Sequence, residues 1–541
     1  MDHGPATQES AKPGTEQVLP SGTADARQHG RTSRLRLPAG WALLAVLAVQ
    51  TALSLRLVRA DTAFEDEATY LWAGHLEWAH LLHGNPLPQF PAYFSGAPVL
   101  YPPIGALADS VGGLTGARIL SLIFMLGATV TLWSTAGRLF GRRAAFFAAA
   151  LFAALGPTLH LGAFATYDAM SIFLVTLAVW LVVRAGQRQD ATAWMIAAGV
   201  ALALADATAY SYALFDVVVL LLALAVAYPQ PGGKLAAARP LTILAVLAVL
   251  LVPAVLIGGS RYLHGIATTT IFRTAGQDSA LTVLTQSWSW TGIIVIAALC
   301  GAVFSWVTRP GRLQTWLLTL LAGAALLIPV EQASLRTTAS LNKHVDLGVW
   351  FAAIAAGYAV DKLVAAAPAG NMRTVTAGAC VIALSFPLSV AAAQSKAFAT
   401  AWPNSTAFIA ILRPLVAHTS GPLLVEDPSI AEYYLPAGSQ WQRWSGTRNI
   451  NLPSGAPTGG PSDAAGVLGS GNAGTYTLYI GEHYFSLVAL NFTDTVALDK
   501  SISTALKGIH RYQTVQVVPY GAGPAGPAPG TYVIWRYESR P

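Results

Sequence analysis

Charge is what this chain has least of. Only 11% of its 541 residues are Asp, Glu, Lys or Arg, against roughly 25% in soluble globular proteins, so a single large water-soluble core is excluded. Cysteine is almost absent. The two present, Cys300 and Cys380, fall inside apolar runs, which leaves neither a disulfide framework nor a cysteine-ligated metal site. Nor is there a strong excess of one sign: 32 basic and 26 acidic residues give a formal charge of +6, and the basic residues sit in short clusters between apolar runs. That pattern argues against a nucleic-acid partner. Missing too are an internal repeat and an inverted pair of broken helices, which weakens a reading as a transporter or lipid flippase.

What remains is apolar sequence. Hydrophobic residues make up 54% of the chain and mean hydropathy is +0.50 although both ends are polar, so the solvent expected for the middle is a bilayer. Residues 1–37, rich in Gly, Ser, Thr, Gln and Pro, have the composition of a disordered tail. From 38 to 393 we expect a polytopic α-helical domain. Placing the basic loops on the cytoplasmic side threads about eleven spans near 38–57, 115–136, 144–160, 168–185, two within 194–228, 240–258, 291–307, 313–330, 346–364 and 374–393. The N-terminus then lies inside, and the long segment 58–113 forms a large first outer loop.

Residues 394–541 change character, with frequent Pro, Gly, Asn and Thr and apolar runs of strand length. They predict an outer soluble α/β domain. GPLLVEDP, TYTLYIG, YQTVQVVPY and TYVIWRYE read as strands, TAFIAILRPLVA and the stretch around TDTVALDKSISTALKG as helices, and 452–474 as a long loop.

Candidate chemistry gathers at the outer face. RADTAFEDEATYLW places Asp61, Glu65, Asp66 and Glu67 within seven residues at the exit of the first span. Asp168 follows the short turn HLGAFATYD at the start of the fourth span, where an ionisable group beside hydrocarbon is costly and faces a protein cavity. The outer cations are Arg118, Arg261, Arg273, Arg336 and the Lys343–His344 pair in SLNKHVD. His75, His80 and His83 share EATYLWAGHLEWAHLLHG, but their spacing suits an interfacial helix better than a metal site. No cofactor is expected, and a divalent metal is disfavoured. Asp206 and Asp216 are the acids nearest mid-membrane. Trp441 and Trp444 in QWQRW are residues of the kind that stack on sugars.

In order, the chain shows the acidic pair Asp66–Glu67, an amphipathic segment, the pair Pro102–Pro103, Arg118 with Ser121, a basic LFGRR turn and Asp168. This ordered set resembles the GT-C membrane glycosyltransferases, in the branch of the protein O-mannosyltransferases and lipid A aminoarabinose transferases. The match covers roughly residues 40–230, and the later spans agree by topology. The resemblance implies a polyprenyl-phosphate-linked sugar as donor and an envelope glycan, lipid or protein as acceptor, on the extracytoplasmic face of a bacterial plasma membrane. It places the family's acids on Asp66, as general base for the acceptor hydroxyl, and on Asp168, with Glu67 assisting. Tyr101 stands where many relatives have a lysine before the proline pair. The donor phosphate therefore falls to other cations: Lys343, His344 and Arg336 at the mouth of the tenth span, then Arg118, with Tyr101 beside the proline pair. A non-catalytic envelope-assembly scaffold is the rival that would tolerate loss of Asp66.

Overall fold

The computed structural model of the chain describes residues 40–538 other than 89, 91–93, 95–97, 187, 189, 228–232, 274, 449, 452–466, 469–472, 494 and 521–529. The polar segment 1–37 and most of the stretch 452–474 lie outside the described residues. Between 40 and 400 each apolar run forms a helix. Among the described residues, eight stretches are long and apolar enough to cross a bilayer: Tyr101–Phe140, Tyr167–Ala185, Tyr210–Ala227, Ala236–Ser260, Ala280–Thr308, Arg312–Ser334, Leu341–Ala366 and Asn371–Ala399. The other expected spans are shorter helices, Trp41–Leu55, Thr192–Thr208 and the pair Arg142–Ala153 and Gly156–Leu161. At 15 and 17 residues, and 12 and 6 for the pair, these lie at or below the lower end of spanning length, about 17 residues, so eight of the eleven expected spans qualify by length and hydropathy among the described residues. The protein is a multi-pass membrane protein.

Small residues let the helices approach closely. A Cβ on Gly357 would meet the Ala144 carbonyl oxygen at 2.4 Å, and one on Gly301 would meet that of Ala355 at 2.6 Å, the close backbone contacts typical of helix packing in lipid. Helix Leu341–Ala366 runs through the middle of the bundle, and every residue from Val345 to Tyr358 is buried. Its first turn, carrying Lys343 and His344, therefore opens from the protein interior.

The first long connection is itself helical. Helix Glu65–His83 buries Glu67, Ala68, Tyr70, Leu71, Ala73, Gly74 and Leu76 against the helix that begins at Tyr101, whose early prolines suit a helix start. At their crossing a Cβ on Gly74 would lie 1.9 Å from the Pro102 carbonyl oxygen, so backbone rests on backbone. Helical geometry breaks at Gly112 and Gly113, the latter with φ +60° and ψ −163°, leaving 101–111 as an arm separate from the span that follows. Trp72 and Trp78 donate to the carbonyls of Gly438 and Pro103, so both indoles tie protein to protein.

The C-terminal region holds β1 (Leu423–Val425), β2 (Trp444–Ser445), β3 (Ile450–Asn451), β4 (Val467–Leu468), β5 (Leu487–Leu490), β6 (Tyr512–Tyr520) and β7 (Gly530–Tyr537). Five form a mixed sheet in the order β2-β1-β5-β7-β6, parallel across β2, β1 and β5 and antiparallel from β5 onward. Helices Thr406–Ala417 and Val496–Gly508 match the expected segments. TYTLYIG does not form a strand. It belongs to helix Ala473–Gly481, with Thr475, Tyr476, Tyr479 and Ile480 buried, a helical spacing that its β-favouring residues obscure. The region is fastened to the first connection. Tyr434 Oη accepts from Ala63 N at 2.8 Å, Trp402 Nε1 donates to Thr62 O at 2.9 Å, and Asn404 Nδ2 donates to Asp61 Oδ1 at 2.8 Å.

Candidate active site

The organiser of this end of the bundle is Glu67. One oxygen of its carboxylate accepts from Arg118 Nε at 2.7 Å and Ala165 N at 2.8 Å; the other accepts from Arg118 Nη2 at 2.6 Å and Phe64 N at 3.1 Å. Arg118 also donates to the carbonyls of Val58, Asp61 and Thr62 at 2.9–3.1 Å. Both side chains are buried. The pair is a bidentate, fully hydrogen-bonded ion pair, and it draws together the exit of the first helix, the start of helix Glu65–His83, the span containing Arg118 and the turn before Asp168.

That clamp sets the neighbouring Asp66 facing Lys343. Lys343 Nζ donates to Asp66 Oδ2 at 2.6 Å and lies 3.8 Å from Asp168 Oδ2. Asp168 is fixed by Thr166 Oγ1 at 2.7 Å and by Tyr212 Oη at 3.0 Å, and His344 Nε2 stands 3.8 Å from its Oδ1. Gln332 Nε2 orients His344 through Nδ1 at 2.8 Å. The Lys343 ammonium also sits 5.7 Å from the ring centroid of Phe164, a cation–π distance. One difference separates the two acids. The Asp66 side chain is 30% exposed and that of Asp168 is fully buried, so Asp66 is the carboxylate that an incoming molecule can reach.

Tyrosines line the cluster. Tyr70 and Tyr167 lie with ring centroids 5.0 Å apart. Burial, then the adjoining Tyr167 and the carboxylates of Asp66 and Asp168, hold the Tyr70 phenol well above its ordinary range, so it remains a hydrogen-bond donor. Tyr101 is fully buried, edge-on to Tyr70 at 6.5 Å.

The structure thus brings together Asp66, Asp168, Lys343 and His344, with Glu67 and Arg118 immediately behind them. Arg336 is apart from this group in character: it is exposed, with a left-handed backbone (φ +51°), and its carbonyl accepts from Asp278 N. Arg273 is close enough to act electrostatically on His344. His75 pairs with Asp109 at 2.6 Å and His80 Nδ1 with the Asn85 carbonyl at 2.6 Å. Trp444 is buried in the C-terminal core, and Trp441 Nε1 donates to Pro86 O. Tyr70, Thr166, Tyr212 and Gln332 did not stand out in the sequence. The only signal for Tyr212 was its place in the polar YSY turn between two apolar runs.

Comparison with known proteins agrees with this architecture. The model of the dolichyl-phosphate-mannose-protein mannosyltransferase family matches residues 105–257. Among solved structures, ArnT from Cupriavidus metallidurans bound to undecaprenyl phosphate superposes with a TM-score of 0.56 at 15% identity, covering 92% of this chain and 98% of that one. AglB from Archaeoglobus fulgidus, an archaeal oligosaccharyltransferase in complex with an inhibitory peptide and a dolichol-phosphate, superposes with a TM-score of 0.53 at 14% identity, covering 92% and 74%. No curated protein matches in sequence. At these identities the likeness is one of fold, and the fold is that of the GT-C membrane glycosyltransferases.

Proposed function

We propose that this protein transfers a sugar from a polyprenyl-phosphate-linked donor to a hydroxyl of a cell-envelope acceptor. The observation that carries the reading is the meeting of Asp66, Asp168 and Lys343, three ionisable groups far apart in sequence, at one end of an apolar bundle. Such groups are expensive beside a membrane and mark a functional site. The polyprenyl phosphate bound by ArnT and the dolichol-phosphate bound by AglB support the donor class.

In this reading Asp66 takes the acceptor proton as the new bond to the anomeric carbon forms. The bond from that carbon to the donor phosphate breaks, and its electron pair leaves with the phosphate. A neutral hydroxyl is a weak nucleophile, so a carboxylate within hydrogen-bond reach contributes to the rate; the partly exposed Asp66 is the more accessible of the two acids and Asp168 is buried. Lys343, held between the two acids, is the cation best placed to meet the charge developing on the phosphate. His344, braced by Gln332 through Nδ1, offers its Nε2–H as a neutral hydrogen-bond donor, Arg273 adds positive charge, and Arg118 and Glu67 position the loop. Residues 394–541 form the acceptor-side domain outside the membrane, the N-terminus is cytoplasmic, and the bacterial plasma membrane is the expected location.

The test is turnover by the purified chain. Incubated with undecaprenyl-phosphate sugars, pyranosyl and furanosyl, and a cell-envelope extract, it should release undecaprenyl phosphate with at least one of them. Absence of binding and of turnover with every donor would remove the proposal.

A further inference from the structure

A cavity lies beside Phe64, next in the chain but one to Asp66. It encloses about 160 Å³ between the first connection and the C-terminal sheet. Aromatic side chains line it: Phe64, Trp402, Tyr520 and Tyr532, the last stacked by one face on Phe408 at 3.9 Å. Phe64 and Trp402 have ring centroids 5.3 Å apart, and Tyr520 and Tyr532 are 4.8 Å apart. Glu65, Asp427, Asn491 and Thr493 complete the lining, with the Thr493 hydroxyl donating to Asn491 Oδ1 and Asp427 Oδ1 accepting from Ser429 N at 3.0 Å.

One wall is held unusually firmly. The buried Glu426 carboxylate accepts from the backbone N–H groups of Asn491 at 2.6 Å, Phe492 at 2.7 Å and Thr493 at 3.0 Å, and Phe492 takes a left-handed backbone, φ +60°. Asn491 Oδ1 accepts in turn from Thr493 N at 3.0 Å. A non-glycine residue in that conformation is costly and persists where the surroundings enforce it, commonly at ligand-binding sites. The cavity is also coupled to the reaction centre. The ring centroids of Phe64 and Phe164 are 5.9 Å apart, the Lys343 ammonium lies 5.7 Å from the Phe164 centroid, and Glu65 directly precedes Asp66.

We propose that this cavity is the acceptor subsite and that it holds a sugar ring of a glycan acceptor. Flat aromatic side chains pack against the C–H faces of a sugar ring, and the carboxylate, amide and hydroxyl residues of the lining are of the kinds that hydrogen-bond sugar hydroxyls. A lipid chain would have no use for four polar groups. The inference rests on the glycosyl-transfer reading and narrows its acceptor to carbohydrate.

The experiment uses the full chain in lipid nanodiscs, with α1,6-mannotetraose and α1,5-arabinofuranotetraose as pyranose and furanose probes, observed by saturation-transfer NMR. At least one should receive saturation. Tyr520→Ala should weaken its binding about tenfold, as loss of one aromatic contact implies, and Thr493→Val should weaken it to a smaller extent. Undecaprenyl phosphate binding, followed by native mass spectrometry, should not change in either variant. If neither tetrasaccharide binds, if Tyr520→Ala leaves binding unaltered, or if a serine-containing peptide binds in their place, the subsite assignment fails while donor binding still stands. If the glycan binds as described but undecaprenyl phosphate does not bind the wild type, the donor reading fails and the carbohydrate site remains.

Discussion

Lys343 and Asp66, 277 positions apart, meet in a 2.6 Å ion pair in which the lysine is almost fully buried and the aspartate is partly open. The ammonium has a second acid, Asp168, within 3.8 Å. It therefore balances two carboxylates at once, and the candidate base and the candidate phosphate ligand cannot be altered independently.

Replacing Asp66 with Asn keeps its volume and removes its basicity. Turnover by purified Asp66→Asn should fall by roughly 10² to 10⁴, the usual contribution of a general base. Asp61→Asn should retain most activity, because Asp61 is spent on Thr62 N and Asn404. Wild-type turnover in Asp66→Asn, with donor binding equal, would move the base elsewhere.

Removing the cation should affect both donor use and folding. Lys343→Met should raise the donor KM at least about tenfold and lower the melting temperature, since breaking a buried pair strands charge. Adding Asp168→Asn should restore part of the thermal stability and none of the donor affinity. If Lys343→Met alone leaves the donor KM unaltered, the phosphate contact passes to Arg273 or His344.

Arg118 should be a stability residue rather than a binding one. Arg118→Met should cost about 3 to 5 kcal/mol, the usual loss when one partner of a buried pair is removed. Arg118→Lys should recover little of this, because a lysine cannot form a bidentate fork and three further carbonyl contacts. Denaturation of the two variants in detergent checks this, and near-wild-type stability in Arg118→Lys would contradict it.

Burial raises the Glu77 carboxyl to about 7. Between the unfolded value near 4.5 and about 7 the folded protein holds a proton that the unfolded chain lacks. Its contribution to stability is therefore greatest at low pH and is lost as pH rises through 7. Glu77→Gln should melt at a higher temperature than wild type at pH 8 and at the same temperature at pH 5. An equal difference at both pH values would show that packing, not ionisation, is responsible.

Orientation can be read by cysteine labelling. With Cys300 and Cys380 replaced by serine, an impermeant maleimide on intact cells should label Lys500→Cys, which is exposed on helix Val496–Gly508, and should not label Pro20→Cys. The reverse pattern would invert the threading and place the acid cluster on the cytoplasmic side.

The membrane bundle was legible in the sequence because apolar runs and basic loops obey a solvent constraint that needs no tertiary knowledge. The cluster was partly legible for the same reason: Asp66, Asp168 and Lys343 are ionisable groups at span ends, where such residues are rare. The tyrosines were not, since Tyr70, Tyr167 and Tyr212 look like ordinary aromatic packing until the fold turns them toward carboxylates. Arg118 stood out as a cation, yet its five donors are fixed by Glu67 and three backbone carbonyls that only folding assembles. TYTLYIG was misread because its aromatic and β-branched residues favour strands while its burial follows a helix.

The clamp between Glu67 and Arg118 also has a history in time. Glu67, Arg118, Ala165 and Asp168 all lie in the first third of the chain, so this half of the site can be put together early during synthesis. Lys343 emerges much later, roughly nine to thirty-five seconds after Asp168 at ~5–20 residues per second. For that interval the nascent bundle carries two acids at its mouth and no lysine to answer them. The half-built site must stay wet, or borrow a cation from its surroundings, until helix Leu341–Ala366 inserts and closes it.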